Sequence, residues 1–84
     1  MTRLWRKAQP ITVQTNGRNE PVAFTWRGRR HEVAQITRQW RTDVAWWRER
    51  VWRSSYKLYT DSGLLVIVHQ DLLTGDWYLQ RLYD

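Results

Sequence analysis

The 84-residue chain has no cysteine, seven tryptophans, and fourteen Lys and Arg against eight Asp and Glu, for a formal net charge of +6. That length supports one domain, and so short a chain buries only about 60 to 65% of the surface its unfolded form exposes. Without cysteine there is no disulfide or thiolate zinc site, and no stretch approaches the roughly 20 apolar residues that span a bilayer, so dense packing of large rings must supply the stability.

Taken in chain order, residues 1–10 carry basic residues with no apolar run behind them, and they are expected to fray rather than act as a secretory leader. With no cysteine to report on redox environment, the cytoplasm is the default location. Residues 11–15 read as a first strand, closed by Asn16-Gly17 and the polar run to Pro21. In the second, Val22, Phe24 and Trp26 alternate with Ala23, Thr25 and Arg27, the period of a half-buried strand. Gly28 then permits a tight reversal into residues 30–36, where Val33 and Ile36 break strict alternation and call for a β-bulge or a bend.

Between Trp40 and Trp52 the pattern lapses. Residues 42–50 read as a loop with at most one helical turn, capped by Thr42 or Asp43. Residues 56–60, 64–71 and 77–83 then read as three strands, separated by the turn compositions Asp61-Ser62-Gly63 and Thr74-Gly75-Asp76. The sum is an all-β domain over residues 11–84: about six antiparallel strands in a meander, forming a strongly twisted sheet or a small, partly open barrel.

Charge is unevenly placed. Residues 1–57 hold thirteen of the fourteen cations against Glu20, Glu32, Asp43 and Glu49, while the last 27 residues hold only Arg81 against Asp61, Asp71, Asp76 and Asp84. A basic body favours polyanions, of which nucleic acid is the commonest inside a cell. Twelve of the cations are Arg, which forks onto phosphate or stacks on rings, although an arginine-rich coding bias gives the same count.

Two constellations stand out as binding candidates. One is the hairpin tip with Arg27, Arg29 and Arg30. The other alternates rings and cations: Trp40-Arg41, Trp46-Trp47-Arg48, Arg50 and Trp52-Arg53. Trp40 and one of the adjacent pair are expected in the core, leaving the other ring for a contact. His31 suits a structural hydrogen bond across strands, and the aspartates suit solvated turns, since no nucleophile, acid/base pair or metal-ligand spacing accompanies them. The residues therefore point to binding rather than catalysis, with no cofactor, metal, membrane or small-molecule substrate expected.

A resemblance narrows the context. The block Phe24 to Val33, reading FTWRGRRHEV, together with Trp40, the pair Trp46-Trp47, Tyr56, Thr60, Gly63 and the ending WYLQRLYD over residues 77–84, resembles a small bacterial domain family. Its members are similar to the C-terminal segment of ImuB, the inactive Y-family polymerase homologue, and also occur as stand-alone proteins encoded near error-prone polymerase genes. The chain departs from that pattern where a Tyr pair is usual, here Ser55-Tyr56, and where a Tyr is frequent, here His69. The resemblance implies an accessory module in translesion synthesis, with DNA or a polymerase or repair subunit as partner, and carries over no catalytic residue.

Overall fold

The computed structural model describes the backbone of residues 2–46 and 49–83 and the side chains of residues 8–45 and 50–83. Six antiparallel strands follow one another: β1 (Thr2–Thr15), β2 (Pro21–Trp26), β3 (Arg29–Trp46), β4 (Glu49–Thr60), β5 (Leu65–Asp71) and β6 (Trp77–Tyr83). Each pairs with its successor, and β6 returns to β1, so the hydrogen bonds close into a ring. Closure thus goes further than a partly open barrel. The ring is uneven, because its strands run from 6 to 18 residues. Residues 2–10, where fraying is expected, belong to β1: Thr2 to Leu4 pair with β6 from Tyr83 to Arg81, the register then breaks, and pairing resumes from Gln9 opposite Leu79 to Ile11 opposite Trp77.

Bulges bend the sheet into this ring. Gln14 faces Ala23 and Thr15 faces Pro21, which leaves Val22 as the extra residue of β2. Val22 is therefore 39% exposed, and the alternation expected to place it beside Phe24 in the core does not hold. In β3, Val33 pairs with Thr60 and Gln35 with Tyr59, then Ile36 with Leu58 and Arg38 with Lys57, so Ala34 and Thr37 are both extra. This is the irregularity read between Val33 and Ile36. Three residues apart, both side chains reach the same core because a bulge lies between them. Thr37 anchors the second bulge by donating its hydroxyl to the Lys57 carbonyl at 3.1 Å. In β6, Gln80 is the extra residue, between Arg81 opposite Ile67 and Leu79 opposite Val68, which lets Leu79 and Leu82 both point inward.

The core is Phe24, Tyr56, Leu58, Val66, Val68, Trp77, Leu79 and Leu82, with Ile11, Val13, Trp26, Val33, Ile36 and Leu64 packed around it. Phe24 stacks on His31 with ring centroids 5.1 Å apart, and Tyr56 meets Trp77 at 5.6 Å. At the β2–β3 reversal both Arg27 (φ 53°) and Gly28 (φ 74°) are left-handed, the signature of a type I′ hairpin turn.

The described residues of 42–50, which leave out Trp47 and Arg48, correct the expectation of a loop or helical turn. Thr42 to Trp46 continue β3, Glu49 and Arg50 open β4, and the two pair from Thr42 with Arg53 to Trp46 with Glu49. Pairing of β4 with β5 begins only at Arg53 opposite Asp71. Beyond that point β3 and β4 form a two-stranded arm. Its residues favour strand: Thr42, Val44 and Val51 are β-branched and Trp52 is aromatic.

Candidate nucleic-acid interface

The residues at the β2–β3 turn are exposed and already engaged. The Arg27 guanidinium lies 4.6 Å from the Trp26 ring centroid, and Arg30 pairs with Glu32 at 2.8 Å. Arg29 lies close enough to act on His31, whose pKa is held below its ordinary value first by burial and then by that positive charge. His31 Nδ1 meets the Ser62 hydroxyl at 3.2 Å, joining β3 to the β4–β5 turn in the structural role expected of it. Asp71 also plays the turn role, accepting from the Leu73 amide at 2.8 Å.

The second constellation sits at the arm, at the other end of β3. Arg30 and Arg41 are eleven residues apart, on the order of 30 to 35 Å along a bulged strand. The two candidate patches therefore do not form one footprint. Trp47 and Arg48 lie outside the described residues.

At the arm, the pleat sorts the remaining candidates onto two faces. Arg41 faces Ser54, Asp43 faces Trp52 and Ala45 faces Arg50, all on the side continuous with the ring interior. There Arg50 donates to both Asp43 oxygens at 3.2 Å, and its guanidinium lies 4.9 Å from the Trp52 ring centroid. Arg41 reaches toward buried Tyr56, whose hydroxyl is pushed above its ordinary pKa chiefly by burial, against opposing pulls from Ser54 and Arg41. Two depressions border the root of the arm, one of about 420 Å³ lined by Gln39, Trp40, Arg41 and Ser54. The other, about 200 Å³, lies among Arg50, Trp52, Arg53, His69 and Asp71.

The outer side carries a surface that sequence order conceals. Pairing across β3, β4, β5 and β6 sets Arg38, Lys57, Ile67 and Arg81 in one row, and Trp40, Ser55, His69 and Tyr78 in the next. Thr42, Arg53 and Asp71 follow in a third. Four cations thus share this wall with one carboxylate among the described residues of these rows. Trp40 corrects the expectation of a core ring: it is only partly buried and lies outside the core cluster. Its stacking partner is Arg38, 5.1 Å from the ring centroid. Sequence reasoning favoured Arg41, the immediate neighbour, but in a strand adjacent side chains point to opposite faces.

Lys57 and Arg81 approach the Tyr83 ring at 5.3 and 5.4 Å, and Arg81 donates to the Tyr83 hydroxyl at 3.0 Å. That hydrogen bond leads the causes that draw the Tyr83 pKa below its ordinary value. His69 stacks on Tyr78 at 5.3 Å. Its pKa is lowered by burial first and by Arg53 second, against smaller pulls from Gln80 and Asp71, so the imidazole favours its neutral form. Ser55 and His69, the two departures from the resembled pattern, face one another in the wall.

Among the described residues no group of three His, Cys, Asp or Glu could hold a metal ion, and no helix is long and apolar enough to cross a membrane. These features define a small all-β ring domain with a projecting two-stranded arm and a cationic, aromatic outer wall. The chain belongs to the family described as "Domain of unknown function (DUF6504)", whose model matches residues 3–83. No curated protein and no solved structure matches it.

Proposed function

We propose that the chain is a non-catalytic accessory module that contacts DNA, serving DNA-damage tolerance as the resemblance to the C-terminal segment of ImuB implies. One observation carries the DNA contact: Arg38, Arg53, Lys57 and Arg81 from three strands converge on one outer wall that also bears Trp40 and Tyr78. Cations placed on a sheet beside partly exposed rings suit a polyanion whose monomers carry flat faces. The arm, with Arg41 and Arg50, adds charge at one end.

Polymerase or repair-subunit binding without DNA contact is the second reading, favoured by Val44 and Val51. They face each other on the arm and are 50% and 39% exposed, an apolar pair suited to a protein surface. A fluorescence-anisotropy titration with labelled single-stranded and duplex DNA at several salt concentrations separates the two. Saturable binding with a negative log-log salt slope supports DNA contact. Absence of binding at low salt overturns it, and turns the search to a protein partner at Val44 and Val51.

A further inference from the structure

We infer that the outer wall of β3 to β6 is a single-strand platform, with phosphates following the row Arg38, Lys57, Arg81 and bases stacking on the two rings that end the next row, Trp40 and Tyr78. This rests on the DNA-binding reading above and specifies its site and ligand.

The geometry is set by sheet spacing. Both rows cross the strands, and neighbouring strands lie about 4.8 Å apart, so the path around the curved outside of the ring from Arg38 to Arg81, three strands on, is roughly 14 Å, as it is from Trp40 to Tyr78. Within β3 and β4 the rows are two residues apart, or about 7 Å. That offset separates a cation track from a ring track much as a nucleotide separates its phosphate from its base. A chain laid across the strands meets cations on one side and rings on the other.

The wall discriminates by what each form of nucleic acid offers. A duplex keeps its base faces stacked inside, so Trp40 and Tyr78 would find only backbone. A single strand has unstacked bases, and every base has a face to present to a ring. Arg38 over Trp40 and His69 against Tyr78 brace the two rings in place, so little side-chain freedom remains to be lost on binding. His69 is itself buried, so it supports Tyr78 rather than meeting a base. The one carboxylate among the described residues of these rows, Asp71, lies in the third row opposite Arg53, away from both tracks.

The test compares two charge variants for binding to labelled oligothymidine and to a duplex of equal length. The wall variant is Arg38→Ala/Lys57→Ala/Arg81→Ala, and the arm variant is Arg41→Ala/Arg50→Ala. Losing three phosphate contacts should lower the single-strand log-log salt slope by about 2, at roughly 0.7 per contact. Trp40→Ala should weaken single-strand binding by about 5- to 150-fold, the equivalent of one stacked base, while Trp40→Phe, which keeps a ring and the fold, should restore most of it. Thermal melts confirm that each variant is folded. The inference fails if the wall variant binds oligothymidine as the unaltered chain does, or if the unaltered chain prefers the duplex; DNA binding itself then stands. Failure of the unaltered chain to bind either form overturns both.

Discussion

Phe24 offers the sharpest test of how the ring is held together. Its side chain is fully buried, stacks on His31, and lies opposite Val13 across the β1–β2 pair. Removing it as Phe24→Ala costs about 3–5 kcal/mol, by lost burial plus the cavity left behind. A domain of 84 residues has in total only about 4–13 kcal/mol, so that variant approaches the limit of folding. Phe24→Leu is the gentler probe: three carbons fewer, about 1–2.5 kcal/mol. At about 4–8 °C per kcal/mol for this size, the melting temperature should fall by roughly 4–20 °C. Val22→Ala, two residues away on the exposed bulge, should cost under about 1 kcal/mol. Both are measured by circular dichroism melts and urea titration. Equal midpoints for Phe24→Leu and Val22→Ala would refute the placement of the core and the bulge that separates them.

Two further outcomes follow from the same structure. His31 and His69 both have lowered pKa values in the fold, so below their ordinary value near 6.5 the unfolded chain takes up protons that the folded chain resists; stability should be full at neutral pH and decline as pH falls from about 6.5 toward 5, in urea titrations across that range, and His31→Asn/His69→Gln should flatten the decline. At the type I′ turn, Gly28→Ala meets no atom within 4 Å and should lose about 1–2 kcal/mol by backbone strain alone, whereas Arg27→Asn, a residue that tolerates a left-handed backbone, should raise the melting temperature.

Much of the ring was legible because its turns are punctuated. Asn16-Gly17, Gly28, Asp61-Ser62-Gly63 and Thr74-Gly75-Asp76 each mark a reversal, and the broken alternation at Val33 and Ile36 marked a bulge. The arm was not legible, because no Gly, Pro or Asn stands between Gln39 and Arg53 to announce its hairpin. Strand character there lies in Thr42, Val44, Val51 and the tryptophans, which tertiary pairing rather than punctuation turns into a ribbon.

The wall was hidden for a different reason. Its members come from four strands, and their alignment depends on register, which the bulges at Thr37 and Gln80 reset. Arg81 belongs to a tail that counts as mildly acidic, yet register places it in the row of Lys57, across Ile67, while Asp61 and Asp76 stay at turns. Reading neighbours along the chain also paired Trp40 with Arg41 and Trp52 with Arg53, where the structure stacks Arg38 and Arg50; at Trp26 the turn lets the neighbouring Arg27 fold over the ring.

The closed ring shapes how the chain must assemble. Five of its six seams join consecutive strands, so each is a hairpin whose ends are brought together at small entropic cost. The sixth, β1 against β6, joins residues from 66 (Ile11 and Trp77) to 81 (Thr2 and Tyr83) positions apart, and its loop-closure entropy must be met before its contacts return anything. A meander that has zipped up through its hairpins remains an open sheet with two raw edges until that seam shuts. Those edges are where a half-folded chain is exposed to pairing with another copy, and closing the seam removes both at once.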